Sequence, residues 1–476
     1  MSRLNNVFHI LLFFPFLSLA QPDTAHFESG KKKYYVKDFK NAIIDFSSAI
    51  ETNPKFTKAY ILRGVSKFES ALFNEAISDF NKAIEINPEN SHAFNERGKA
   101  NVFLSFIDAA YNDYMKAIEL DSAYSYAYFN LANLFLFQKK EYKKAIFIYT
   151  TAINLNSSDD KAYLNRGYAR SMLGNYYGAL ADYNQSVFLN NKNAKAYNNR
   201  GLMYASMFNY AEALKDFSEA IRLDKNYSNA YYNRAMTRFR SADYLDAIKD
   251  FEKTVSIDSL NHKAFSKLGD IYYLLMDYKN AIKKYSEAII LDPENSVYFN
   301  NRGFTRLKTG EYAVAIEDFD KSILYDPGFS YAYNNRGNAR NQLGNYQEAI
   351  TDFDKTLSFD SLHYEALYNR AFSYFKINKY EDARLDCDKS IAINNEFVNS
   401  YLLRGMILVH LEDFKNAEND LDRFINSDNK NGNAFYYRCV AQNALGKLEL
   451  ACRDLKNAIL LKYLPVVGFQ LPECGQ

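Results

Sequence analysis

Apolar residues recur three and four apart along most of the chain, and polar turn residues interrupt them at regular points. That spacing puts the apolar residues on one stripe of a helix. The stripes come in pairs, divided by turns such as Gly174-Asn175, Gly310, Gly344-Asn345 and Gly446, so each pair predicts a helical hairpin. The hairpins repeat. AYILRG ends at Gly64, AFNERG at Gly98, AYLNRG at Gly167, AYNNRG at Gly201, YFNNRG at Gly303 and SYLLRG at Gly405, with Ala132, Ala235, Ala371 and Cys439 at the same point of their own phrases. The interval is 34 residues throughout, except for one of 35 between Ala132 and Gly167, whose extra residue is expected in a turn near Lys139-Lys140. An alanine follows each small residue by twelve (thirteen after the insertion), as in Ala76, Ala179 and Ala315, and an aromatic such as Phe80, Tyr183 or Phe319 follows that alanine by four.

These positions have a physical reading. Two helices must approach closely where the Gly or Ala of the first meets the Ala of the second, and the aromatic rings fill the space around that contact. A two-helix unit cannot bury its apolar face alone, so neighbours must stack. The expected architecture is an all-α solenoid of about thirteen hairpins over residues 23–463, with starts near 23, 57, 91, 125, 160, 194, 228, 262, 296, 330, 364, 398 and 432.

The 34-residue period and its small and aromatic positions resemble the tetratricopeptide repeat (TPR) family, with Tyr or Phe (Tyr60, Phe94, Tyr128, Tyr163, Tyr197, Tyr231) where the family usually has Trp. The resemblance implies a right-handed superhelix with a concave groove lined by the first helix of each hairpin, and a non-catalytic scaffold that binds proteins or peptides. The alternative is a recruiting or regulatory subunit of a cell-envelope enzyme or assembly complex.

Two polar columns run through the repeat. Arg precedes the small residue in ten hairpins, Arg200 and Arg336 among them, and Asp precedes the second-helix aromatic position in eleven, Asp216 and Asp352 among them. The two hairpins without Asp have Ile148 and Lys284, and the same two have Leu131 and Leu268 in place of Arg. The joint loss predicts that Arg and Asp of one hairpin pair, since a guanidinium can engage a carboxylate with two hydrogen bonds. The Arg row could instead present cations to an anion, but its paired Asp column favours a structural ladder.

The first helices also carry Asn130, Asn165, Asn199, Asn233, Asn301, Asn335 and Asn369, together with Tyr168, Tyr232, Phe239, Tyr273, Phe304, Phe372 and Phe375. An amide both donates and accepts, so it can meet an extended peptide backbone, and aromatic rings add apolar contact. This row resembles the asparagine ladder with which some members of the family hold peptides, and the candidate site is placed there. The lysines of the chaperone-binding subtype are not visible: the matching positions hold Phe129, Leu164, Asn198, Tyr232, Asn300 and Asn334.

Composition adds limits. Lys plus Arg number 58 and Asp plus Glu 57, a net charge of +1, which gives no field to attract nucleic acid. With 40 Tyr, 37 Phe, no Trp and only eight Pro, the chain suits a repeated aromatic-bearing helix. The six His share no spacing, and there is no HExxH, P-loop, GxGxxG or Cys pair at metal-ligand spacing, so no enzyme domain, metal or cofactor is expected. At the N-terminus, Arg3, the apolar run Val7 to Leu19 and Ser18-Leu19-Ala20 read as a secretory signal peptide, 1–20, with an uncleaved anchor as the other reading. A secreted or periplasmic protein follows, with no transmembrane span after cleavage, and the wealth of Asn, Lys, Tyr and Phe suggests an AT-rich bacterial genome. In an oxidising compartment Cys474, in the tail 464–476, could bridge to Cys452 or Cys439, or all could stay free buried thiols. The sequence leaves oligomeric state and partner identity open.

Overall fold

The computed structural model describes residues 22–463 and Cys474. The signal-peptide reading of 1–20 lies outside these residues, as does the tail 464–476 apart from Cys474. The described residues hold 26 α-helices in thirteen consecutive pairs, with no strand among them. First helices run, for example, Thr57–Glu69, Ser91–Phe103 and Ala194–Ser206, and their second helices Phe73–Ile86, Ile107–Leu120 and Tyr210–Leu223. The described residues form two compact bodies, one up to Thr237 and one from Arg238. Within each, a second helix packs on its own first helix and on the first helix of the next hairpin.

The reason for the small residues is steric. A Cβ placed on Gly64 would lie 2.6 Å from the Phe80 ring, and one on Gly201 2.8 Å from the Phe217 ring. The repeated alanines, Ala76, Ala213 and Ala349 among them, are fully buried. Asn and Asp start many of the helices; Asn90 Oδ1, for instance, accepts from Ala93 N at 3.0 Å, which satisfies an amide left over at a helix N-terminus. The tight turn inside a hairpin places one residue in the left-handed region. In four hairpins that residue is Gly174, Gly310, Gly344 or Gly446; in others it is a residue such as Ala71, Phe208 or Met276.

The extra residue of hairpin 4 is not an added turn residue. The first helix, Ser125–Asn133, continues directly into a π-helical turn, Leu134–Gln138, in which Lys139 N donates to Leu134 O at 3.1 Å. A π-turn takes up one residue inside a helix, and Leu134, Phe135 and Leu136 are buried there, so extending the helix keeps apolar surface covered that a longer turn would expose.

The Arg and Asp columns form a brace. Arg63, Arg97, Arg166, Arg200, Arg302, Arg336, Arg370, Arg404 and Arg438 each donate through Nε and Nη2 to the Asp sixteen residues on; Arg200 meets Asp216 Oδ2 and Oδ1, both at 2.7 Å. The brace has a third member. Nη1 of the same Arg reaches back sixteen residues to the second helix of the preceding hairpin: Arg200 to Asn184 at 3.0 Å, Arg97 to Asn81 at 2.7 Å, Arg336 to Asp320 at 2.6 Å. One side chain thereby ties three helices. The Asp carboxylates are buried, Asp352 most of all among those of the ten Arg-bearing hairpins after Asp454.

A buried carboxylate that loses its cation costs about 3 kcal/mol, whereas apolar replacement of both partners is close to neutral. Arg200→Leu is therefore expected to lower the melting temperature more than Arg200→Leu combined with Asp216→Leu. Thermal denaturation in which the double variant melts lowest would contradict the pairing energetics.

Candidate functional site

Among the described residues no helix is long and apolar enough to cross a membrane, and no group of three or more His, Cys, Asp or Glu is placed to hold a metal ion. The candidate residues read from the sequence lie on the first helices, in each body separately.

In the first body Asn130, Asn165, Asn199 and Asn233 are half-buried. They are linked to neighbouring amides. Asn130 Nδ2 donates to Asn95 Oδ1 at 2.9 Å, Asn165 Nδ2 to Asn133 Oδ1 at 2.8 Å and Asn233 Nδ2 to Asn198 Oδ1 at 2.9 Å, while Asn199 Oδ1 accepts from Asn198 Nδ2 at 3.3 Å. In the second body Asn335 donates to Asn300 at 3.0 Å, Asn369 to Asn334 at 3.4 Å and Asn301 to Asp270 at 3.5 Å. Most of these amides therefore spend one N–H on the preceding hairpin, which fixes their rotamers and leaves the second N–H as a contact point, while the oxygens of Asn199 and Asn301 also accept from the residue before them.

The aromatic candidates do not form one continuous surface. Tyr168, 38% exposed, stacks on Phe137 at 6.3 Å, and Tyr232 is half-buried. Phe372 is half-buried beneath Lys376 Nζ at 5.3 Å, and Phe375 packs on Tyr380 and His410. Four candidates do converge, in the second body: Phe239, Tyr273, Asn301 and Phe304 line a cavity of about 370 Å³. Tyr273 and Phe304 pack with centroids 5.6 Å apart and Lys308 Nζ caps Phe304 at 5.3 Å.

The polar groups of this cavity were not singled out from the sequence. Lys267 Nζ lies 5.9 Å from the Phe239 ring and 2.7 Å from Asp270 Oδ2; Asp270 Oδ1 accepts from Tyr285 Oη at 2.8 Å. Burial, together with the negative charge of Asp270, holds the Tyr285 phenol far above its usual value, so it stays a donor. A signal existed: in AFSKLG, Lys267 stands where most hairpins have Asn, and Leu268 where they have Arg. The result is an aromatic-walled cavity with one cation, one carboxylate and one amide, suited to an apolar side chain and the peptide groups beside it.

Cys452 and Cys474 form a disulfide, with Cα atoms 5.6 Å apart, that ties position 474 to the last second helix, Leu448–Leu460. Cys439 and Cys387 are free and buried; burial raises the Cys439 thiol to about 11 and the Cys387 thiol well above its ordinary value. Mass mapping of the unreduced protein should recover a Cys452–Cys474 peptide pair. Cys439 and Cys387 should resist alkylation at pH 8 until denaturant is added, because the thiolate is the reactive form. Rapid labelling of either in the native state would contradict this burial.

Models of the tetratricopeptide repeat match residues 57–90, 125–159, 194–227, 330–361 and 398–431, and a TPR repeat model matches residues 269–310. No curated protein sequence matches the chain. Among solved structures, the chain is similar to YrrB, described as a TPR protein with an unusual peptide-binding site, at 25% identity over 39% of this chain and 94% of that one, TM-score 0.35. It is also similar to a chain of the APC/C hetero-tetramer Cut9-Hcn1 at 13% identity over 83% and 97%, TM-score 0.43, and to yeast Tom70 at 16% identity over 85% and 97%, TM-score 0.37.

Proposed function

This chain belongs to the tetratricopeptide repeat family, a family of protein-interaction scaffolds, and from that premise we propose that it is a non-catalytic scaffold that holds an extended peptide segment of a partner along its first helices. The observation that carries the proposal is the convergence of Phe239, Tyr273, Phe304 and Asn301 on one cavity with Lys267 and Asp270 at its polar side. Two rings packed together offer a rigid apolar wall at low entropic cost, which is what anchor residues at interfaces share. The internally bonded Asn301, Asn335 and Asn369 extend from that cavity as pre-oriented amides able to pair with a peptide backbone.

The proposed setting is outside the cytoplasm, secreted or periplasmic. The apolar run Val7 to Leu19 supports it, and so does the Cys452–Cys474 disulfide, because such bonds persist in oxidising compartments.

Selection of peptides from a random displayed library on the full chain tests the proposal. Selected peptides should carry an apolar anchor, and Phe304→Ala or Tyr273→Ala should weaken their binding about tenfold, or about 1.4 kcal/mol, while leaving the far-ultraviolet circular dichroism unchanged. A selection that returns no binder, or binders indifferent to both substitutions, would overturn it.

A further inference from the structure

The Arg brace lines the cleft between successive second helices with polar groups, and that lining recurs. In hairpin 3 the cleft contains Asn81, Arg97 and Asp113; in hairpin 12 it contains Asp388, Arg404 and Asp420. In hairpin 4 all three positions change together. Met115 takes the place of the polar residue on the preceding second helix, Leu131 that of Arg, and Ile148 that of Asp. In hairpin 8, the other one lacking Arg and Asp, the three positions hold Glu252, Leu268 and Lys284, so only hairpin 4 is apolar at all three.

The consequence is that the cleft here, of about 460 Å³, is lined by apolar residues where the others are polar. Met115, Leu131 and Ile148 all line it, with Tyr111, Phe135 and Phe147. Leu131 and Phe135 are buried in its floor, whereas Met115 is 42% and Phe147 75% exposed at its mouth. The rim is cationic. Lys139 Nζ lies 5.2 Å from the Tyr111 ring and Lys144 Nζ 5.4 Å from the Phe135 ring; Lys144 is paired with Glu141, and Lys139 lies 3.9 Å from Asp108. Lys143, exposed, makes no ion pair among the described residues. Lys143 and Lys144 also occupy the first turn of the helix Tyr142–Leu155, which carries no acidic residue there, although the helix dipole favours anions at that end.

An exposed Phe and Met over an apolar floor disfavour contact with water, and Lys143, without an ion pair beside Lys144 at a helix N-terminus, favours an incoming carboxylate. We propose that this cleft is a second docking site, separate from the aromatic cavity on the first helices, and that its occupant is a partner segment presenting a large apolar side chain flanked by Asp or Glu. The anchor enters between Met115, Leu131 and Ile148 and packs against Phe147, and the flanking carboxylates meet Lys143 and Lys144.

The test uses the full chain and three fluorescein-labelled synthetic peptides: one with a central Phe between Glu residues, one with that Phe replaced by Ala, and one with the Glu residues replaced by Lys. Fluorescence polarisation should show binding of the first that weakens about tenfold without the Phe, is lost with Lys, and declines as salt rises. Met115→Asn with Leu131→Arg and Ile148→Asp, which restores the polar brace, should abolish binding. So should Phe147→Ser, which changes only an exposed side chain and therefore serves where the triple variant fails to fold. Phe304→Ala should leave this binding unchanged, so that failure here is distinguishable from failure of the first-helix site. Equal binding of the three peptides, no binding of the first, or loss with Phe304→Ala but not with Phe147→Ser would each overturn the proposal.

Discussion

The contact on which the rest of this structure depends is that between the small residue of each first helix and the bulky side chain sixteen or seventeen residues later on the second. Gly64 against Phe80, Gly98 against Tyr114 and Gly337 against Phe353 leave no room for a Cβ, so the ring of the second helix lies directly on the backbone of the first. In one hairpin the two sides trade volume. Where the first helix carries Ala371 in place of Gly, the second carries fully buried Cys387 in place of a ring. Close packing of this kind tolerates substitution when total volume is kept. The helix separation that results is what lets an Arg on one first helix span to two second helices at once.

The brace built on that separation is expensive in isolation and stable as a network. Guanidinium and carboxylate are both removed from much of their water, which the pair alone would barely offset. The fork geometry adds two short hydrogen bonds within the hairpin, and Nη1 adds a third to the hairpin before it, so that few charged-group donors are left without a partner. In the two hairpins where both Arg and Asp are lost, the second-helix ring is a tyrosine, and its hydroxyl bonds the residue after the small position: Tyr149 to Asn133 and Tyr285 to Asp270. A tyrosine hydroxyl, donating to an amide in one hairpin and to a carboxylate in the other, there ties the same two helices without the Arg–Asp pair.

The fold could be read from the sequence because the information is periodic. A small residue every 34 positions and an aromatic at a fixed offset are visible without knowing any contact, since stacking makes each hairpin answer the same packing problem. What was not legible is what differs from the period. The π-turn at Leu134–Gln138 cannot be told in the sequence from an extra turn residue, because one inserted residue has the same appearance in either case, and only the burial of Leu134 and Phe135 decides between them. The third member of the brace escaped notice because Ser, Asn, Thr and Asp all serve as acceptors for Nη1, so the column has a shared chemistry but no shared letter. The bonding of the asparagines is hidden for a different reason: spacing shows the column that contains Asn130, but not that Asn95, 35 residues earlier and one column over, receives its amide.

These departures from the period sit where the two cavities sit. In a solenoid each hairpin touches its neighbours and little else, so a change in one cleft is not transmitted far along the stack. The polar brace is therefore locally dispensable, provided that its partners change together: a lone Leu at position 131 beneath a retained carboxylate would leave a buried charge, whereas Leu131 with Met115 and Ile148 leaves an apolar hollow. The same logic holds at hairpin 8, where Leu268 is buried, Lys267 Nζ lies near the Phe239 ring and Asp270 takes the hydrogen bonds of Lys267 and Tyr285. A uniform scaffold thereby acquires chemically distinct recognition surfaces by local substitution, because the Gly-on-ring contact that holds the helices together survives at Gly269 and Tyr285, and in its alanine form at Ala132 and Tyr149, in the very hairpins that have given up the brace.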